Sequence, residues 1–291
     1  MSMRILAACT VLALAASACA DPTSTDPGTI DHPGEADEPI LIVTTGGGLV
    51  PAQYLFTAMP SFALYGDGAL VVPGAQMELY PGPALPPMVA RTISEAGIQS
   101  ILRAALEAGL DRDGDYSDLG NMGIMDAGTT RFALTVDGVT HVVTAYALGM
   151  EGEQQAGQPD DVWEMRRSLA RFQQELGSLA TWLPADSLGQ ERSYEARAAR
   201  LLIGPYAPDD ELPQDPKRWP LPGGLGAFGE PADMLGEGWG CGVLEGDEWT
   251  AVHALAAESN RLTPWQSDGE RYTITFRPLL PDESGCDVGT A

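Results

Sequence analysis

The sequence predicts an α+β fold in which antiparallel hairpins with packed helices are followed by a smaller β-β-α-β-β unit. Three observations carry that prediction. Asp-Gly pairs at Asp67-Gly68, Asp137-Gly138 and Asp268-Gly269 each separate strand-like runs, and this dipeptide is the strongest short-range hairpin signal. Two long segments, around 94–109 and 160–183, repeat apolar residues at steps of three and four, as helices with one buried face do. From Phe62 to Tyr146 the elements also read as hairpin, then helix, then hairpin.

Taken in chain order, Ile40 to Thr45 is apolar and β-branched, and Gly46-Gly47-Gly48 breaks it before a second apolar run, Leu49 to Thr57, so two strands are expected. The first Asp-Gly hairpin follows over 62–72. Tyr80 to Pro87 holds four prolines, whose fixed φ and missing N–H favour a stiff extended connection. Thr92-Ile93-Ser94-Glu95 has capping-box spacing, and Ile98, Ile101, Leu102, Ala105 and Leu106 then share a helical face. The second hairpin has period-two alternation on both arms, 131–136 and 139–146. In 160–183 the stripe runs Val162, Met165, Leu169, Phe172, Leu176, Leu179 and Leu183. Arg166, Arg167 and Arg171 read as a solvated face opposite it.

Ala185 to Glu191 reads as a boundary between a domain over 40–184 and a smaller one over 190–291. Ala196 to Tyr206 is a strand, and 207–236 is Pro-, Gly- and Asp-rich and needs anchors, for which Trp219, Phe228 and Trp239 are the candidates. Cys241 to Leu244 is a strand, Asp247 caps a helix to about Glu258, and Tyr272 to Phe276 closes the unit.

The chain has 291 residues, 41 acidic and 16 basic, for a formal charge of −25, and Lys217 is its only lysine. Such a surface repels phosphate backbones, so nucleic acid is not an expected partner. Met1 to Arg4 and the apolar run Ile5 to Ala18 are too short for a membrane span and suit a signal peptide, residues 1–18. Ala16-Ser17-Ala18-Cys19 resembles a bacterial lipobox. That resemblance implies a diacylglyceryl thioether on Cys19 and attachment to the extracytoplasmic face of the membrane, two acyl chains being enough for stable anchoring. Ala18-Cys19-Ala20 also fits ordinary signal peptidase, which would release a secreted chain. Cys9 has too few apolar residues before it to be lipidated.

Residues 19–39 carry acids, Pro and Gly with no hydrophobic periodicity and read as a flexible tether beyond the lipidated cysteine, with His32 solvated within it. After export, Cys241 and Cys286 remain in an oxidising compartment, which predicts a Cys241–Cys286 disulfide. No metal site is expected, since there is no Cys-x-x-Cys and the three histidines are far apart. The acidic run Asp111 to Asp118 has alternating carboxylates but lacks the Gly and Glu of a calcium loop, with Tyr116 and Met122 in their places. It reads as a solvated turn.

Five motifs, Phe62–Gly68, Tyr80–Pro86, Ile93–Gln99, Ala145–Gly149 and Arg277–Cys286, resemble a family of exported lipoproteins from high-GC bacteria, nearly end to end. The block from Phe62 to Tyr146 is also similar to a widespread small domain of secreted bacterial proteins. Neither resemblance implies an activity, a cofactor or catalytic residues. No G-x-S-x-G elbow, H-E-x-x-H helix or paired S-x-x-K motif is present. The expected role is therefore a membrane-anchored binding or interaction module for an envelope protein, glycan or small ligand. The alternatives are an envelope hydrolase using paired carboxylates and an accessory or inhibitor protein of an envelope complex.

Overall fold

A computed structural model describes residues 28–76, 78–120, 123–150, 152–154, 157–209, 211–232 and 235–286. The expected signal peptide, residues 1–18, and the expected lipidation site Cys19 lie outside them. In chain order the first elements are β1 (Pro39–Gly46), α1 (Ala52–Thr57), β2 (Phe62–Tyr65), β3 (Ala69–Pro73), β4 (Met88–Thr92), α2 (Glu95–Glu107) and β5 (Gly114–Asp115). Then come β6 (Thr129–Val136), β7 (Val139–Tyr146), α3 (Asp160–Leu176), β8 (Arg192–Ser193), β9 (Ala198–Pro205) and β10 (Lys217–Arg218). The chain closes with β11 (Glu230–Pro231), β12 (Gly240–Glu245), α4 (Gly246–Ala256), β13 (Trp265–Ser267) and β14 (Glu270–Pro278). The fold is α+β.

One sheet has the order β5-β7-β6-β1-β2-β3-β4-β8 and the other β10-β13-β14-β9-β12-β11. All three Asp-Gly pairs turn hairpins as expected. Asp137 and Asp268 take positive φ with their glycines, the two-residue turn whose twist suits the flanking strands. β8 pairs with β4 and so belongs to the first sheet.

Helices α2 and α3 cover one face of the first sheet. Ile98, Ile101, Leu102, Leu169, Phe172 and Leu176 pack there on Leu41, Val43, Leu64, Phe132, Leu134 and Val143. A register shift between Pro39 and Leu41 turns both Ile40 and Leu41 into this core, as a bulge does. Helix α4 covers the outer face of the second sheet, where Trp249, Val252 and Ala256 meet Leu201, Ile203, Trp265 and Phe276. The inner faces of the two sheets meet α1 and the C-terminal segment 279–286. Leu280 packs on Ala63, Tyr65, Val71 and Met88, and Phe56 on Leu202 and Cys241. Trp219 and Phe228 do anchor the irregular stretch to the second core, and Trp239 packs beside Leu202.

Several expectations need correction. Leu49 to Thr57 is not a second strand: β1 is already paired on both edges, by β2 and β6, and residues 52–57 instead form α1 with Phe56 inward. The short β4 was not anticipated, hidden between a proline pair and a helix. Helix α3 stops at Leu176, with Gly177 as its C-cap, so the stripe to Leu183 continues through a 3-10 turn over Leu179–Thr181. Ser94, not Thr92, caps α2 by accepting from the Gly97 N–H, and Glu245, not Asp247, stands at the start of α4.

Arg166 is not solvated but fully buried. Its guanidinium donates to the carbonyls of Tyr116 (2.6 Å), Tyr146 (2.9 Å) and Ala147 (3.3 Å), clamping α3 to the irregular edge of the first sheet. The stretch 28–38 is docked, not a free tether. Gln99 exchanges two 2.9 Å hydrogen bonds with the backbone of Ile30, the Asp137 N–H donates to the Asp31 carbonyl, and His32 lies 3.2 Å from Glu95. One apolar residue, Ile30, reaching the core suffices to seat the segment.

Candidate functional site

Strand alternation decides what lines the space between the sheets. On β1, Val43 faces the helices, so Ile42 and Thr44 face inward; on β6, Phe132 faces the helices and Arg131 faces inward. Thr44 and Arg131 are direct register partners. Their side chains therefore leave the sheet side by side, at a spacing typical of cross-strand neighbours, roughly 5 Å between β-carbons. On the second sheet Leu201 and Phe276 face α4, so Arg200 and Arg277 face inward, and these two are also direct register partners.

Two like charges opposite one another on adjacent strands repel, and both arginines are buried, at 4% and 5% exposure. Bonds from two neighbouring segments offset that cost. Helix α1 ends after Thr57, leaving carbonyls without helical donors. The Phe56 carbonyl accepts from Arg200 at 3.2 Å and the Ala58 carbonyl from Arg277 at 3.1 Å. The C-terminal segment supplies the rest: Glu283 pairs with both terminal nitrogens of Arg277, and the Gly285 carbonyl accepts from Arg200 at 3.0 Å.

That segment is a strap fastened along its length. The Tyr65 hydroxyl donates to Asp282 at 2.6 Å, the Tyr194 hydroxyl to the Leu279 carbonyl at 2.8 Å, and the Leu280 N–H to Glu283 at 2.8 Å. Its end is held by the Cys241–Cys286 disulfide, as the sequence predicted. Burial, reinforced by Asp282, raises the Tyr65 phenol far above its ordinary pKa. Tyr194 is pushed up to about 12, chiefly by burial and then by Glu283 and Asp282.

Between these walls lies a half-open cleft of about 640 Å³, within the range of small-molecule sites. Ile42, Leu55, Met59 and Leu280 supply its apolar lining, and Arg131, Arg200, Arg277, Asp282 and Glu283 its charges. Three cations against two anions leave this lining at net +1, in a chain of net charge −25. Arg277 is matched by Glu283, and Arg200 is bonded to two carbonyls. The side chain of half-buried Arg131 has no hydrogen bond or ion pair among the described residues. Beside it the Thr44 hydroxyl oxygen is buried with no partner among the described residues, which costs about 1–3 kcal/mol unless something fills it.

Of the residues singled out from sequence, Cys241 and Cys286 border this region, whereas the acidic turn does not. Asp113 accepts from the Val142 N–H at 2.7 Å, and Asp115 accepts from the Ser117 N–H and the Thr144 hydroxyl, both at 3.1 Å. The Ser117 side chain first, then the Thr144 hydroxyl and the Ser117 N–H, lower the Asp115 pKa against the opposing effect of burial. Among the described residues no group of three His, Cys, Asp or Glu is placed to hold a metal ion, and no helix is long and apolar enough to cross a membrane. His32, His141 and His253 stay apart, the last set edge-on to Trp249. Sequence reasoning missed the cleft arginines. The available signal was an arginine inside the apolar run Ala198-Ala-Arg-Leu-Leu-Ile and another, Arg277, ending an alternating strand. A scan of family models and searches of curated proteins and solved structures found no match.

Proposed function

We propose that this chain is an extracytoplasmic binding module, anchored to the membrane through lipidated Cys19, whose ligand site is the cleft between the two sheets. The observation that carries the reading is the cleft itself, a volume of about 640 Å³ bounded by β1, β6, β9, β14, α1 and the strap, with polar groups converging on an apolar floor. The signal-peptide pattern of residues 1–18 and the lipobox resemblance at Ala16–Cys19 support the address. A hydrolase using paired carboxylates draws less support, because the two acids that line the cleft already hold partners: Asp282 accepts from Tyr65, and Glu283 is engaged by Arg277.

The test is to purify the mature protein from its native host, weigh it intact, and identify small molecules released on denaturation. Acylated Cys19 at the amino terminus and a stoichiometric released compound are expected, the compound absent when Ala58→Trp fills the cleft. A mass beginning at Asp21 would replace the anchor with secretion. Identical release from wild type and Ala58→Trp would move the site elsewhere.

A further inference from the structure

We infer that the cleft receives an organic monocarboxylate, its carboxylate held by Arg131 and Thr44 and its apolar body laid against Ile42, Leu55, Met59 and Leu280. This rests on the reading of the cleft as the ligand site and adds the class of ligand. The two residues are neighbours by strand register on a rigid central pair, β1 and β6, so their relative placement does not depend on a loop. Among the described residues the Arg131 and Thr44 side chains, like that of exposed Ser284 on the strap, line the cleft without partners, and only Arg131 and Thr44 stand on the sheet wall. A guanidinium presents a planar fork of donors matched to a carboxylate, and a hydroxyl beside it can donate a further bond to the same group.

Charge balance limits the ligand to one negative charge. Glu283 matches Arg277, and Asp282 stands on the opposite wall, hydrogen-bonded through Tyr65. A phosphate or dicarboxylate would bring a second charge toward Asp282 in a chain already strongly anionic. A neutral ligand would leave Arg131 unmatched on a half-enclosed wall. Thr44 adds an independent signature. A buried hydroxyl without a partner destabilises the free protein, and a ligand that accepts its proton after the side chain turns about χ1 toward the cleft removes that penalty.

The experiment titrates the full-length protein with octanoate and benzoate, and with octanamide and benzamide as uncharged partners of the same shape, by calorimetry. The acids are expected to bind at least tenfold more tightly than the amides, with Arg131→Gln erasing that preference and Arg131→Lys keeping part of it. Thr44→Val should weaken acid binding while raising the melting temperature of the free protein by about 2–4 °C, a pairing that a merely structural threonine would not produce. Acids and amides binding equally, both lost in Ala58→Trp, would overturn the carboxylate and leave the cleft standing. Binding that Ala58→Trp does not touch, or no binding by any of the four, would overturn the carboxylate together with the cleft.

Discussion

Removing the Cys241–Cys286 bridge, as Cys241→Ala/Cys286→Ala, tests how the strap is held. The cystine closes a loop with a sequence separation of 45. In the chain-entropy treatment such a loop restricts the unfolded chain by about 4 kcal/mol at 25 °C. At a few degrees per kcal/mol, that becomes a fall in melting temperature of roughly 8–16 °C. The loss should also be uneven. The strap's other fastenings, Tyr65 to Asp282 and Arg277 to Glu283, lie nearer the chain's interior, so its end around Gly285 should open first and free a carbonyl that now accepts from Arg200. Urea unfolding followed by tryptophan fluorescence gives the global term, and hydrogen exchange read by peptide mass gives the local one. The expected pattern is faster exchange over 279–286 and around α1 at urea concentrations that leave α2 and α3 protected. A global loss below about 1 kcal/mol, or exchange that rises equally in both cores, would refute the reasoning, because the bridge would then be neither a constraint on the unfolded chain nor the fastening of the strap.

Arg166→Ala should cost about 2–4 kcal/mol in urea unfolding, since it strands three carbonyls that now accept from one buried guanidinium, and Arg166→Lys should recover only part of that. Gly229→Ala should destabilise by about 1–3 kcal/mol, because the residue has φ of 75° and an added β-carbon would meet the Cys241 carbonyl oxygen at 2.1 Å. Alkali should loosen the strap. Tyr65 and Tyr194 have raised pKa values in the folded state, so the native state holds protons that the unfolded chain loses above about pH 10. Their stabilisation is complete below that pH and is lost as pH rises toward about 12 for Tyr194 and beyond for Tyr65. Tyr65→Phe should therefore flatten the fall in melting temperature over that window.

The hairpins and long helices were legible because their signals are local. An Asp-Gly turn or a step-of-three-and-four stripe is dictated by backbone geometry within a few residues, and the structure realises each of them. What failed depended on partners far along the chain. Leu49 to Thr57 has the composition of a strand, yet it has no free strand edge beside β1 to join. Arg166 sits among charges at a position that suits a solvated ladder. Only the return of Tyr116, Tyr146 and Ala147 to one place supplies carbonyls that make its burial tolerable. His32 and Ile30 lie in a stretch with no periodicity, and Gln99, 69 residues away, decides that the stretch docks.

The candidate site was the least legible feature, for a reason built into its chemistry. Its cations come from three strands separated by up to 146 positions, Arg131, Arg200 and Arg277, and the acid that neutralises one of them lies on a strap after the last strand. Buried cations need partners already in place, so burial of Arg200 and Arg277 depends on α1 ending where its carbonyls can accept and on Glu283 being tied beside them. The same requirement makes Arg131 informative. Among the described residues Arg200 and Arg277 meet carbonyls or a carboxylate and the Arg131 side chain does not, which is the ground for proposing it as the partner of a ligand's charge.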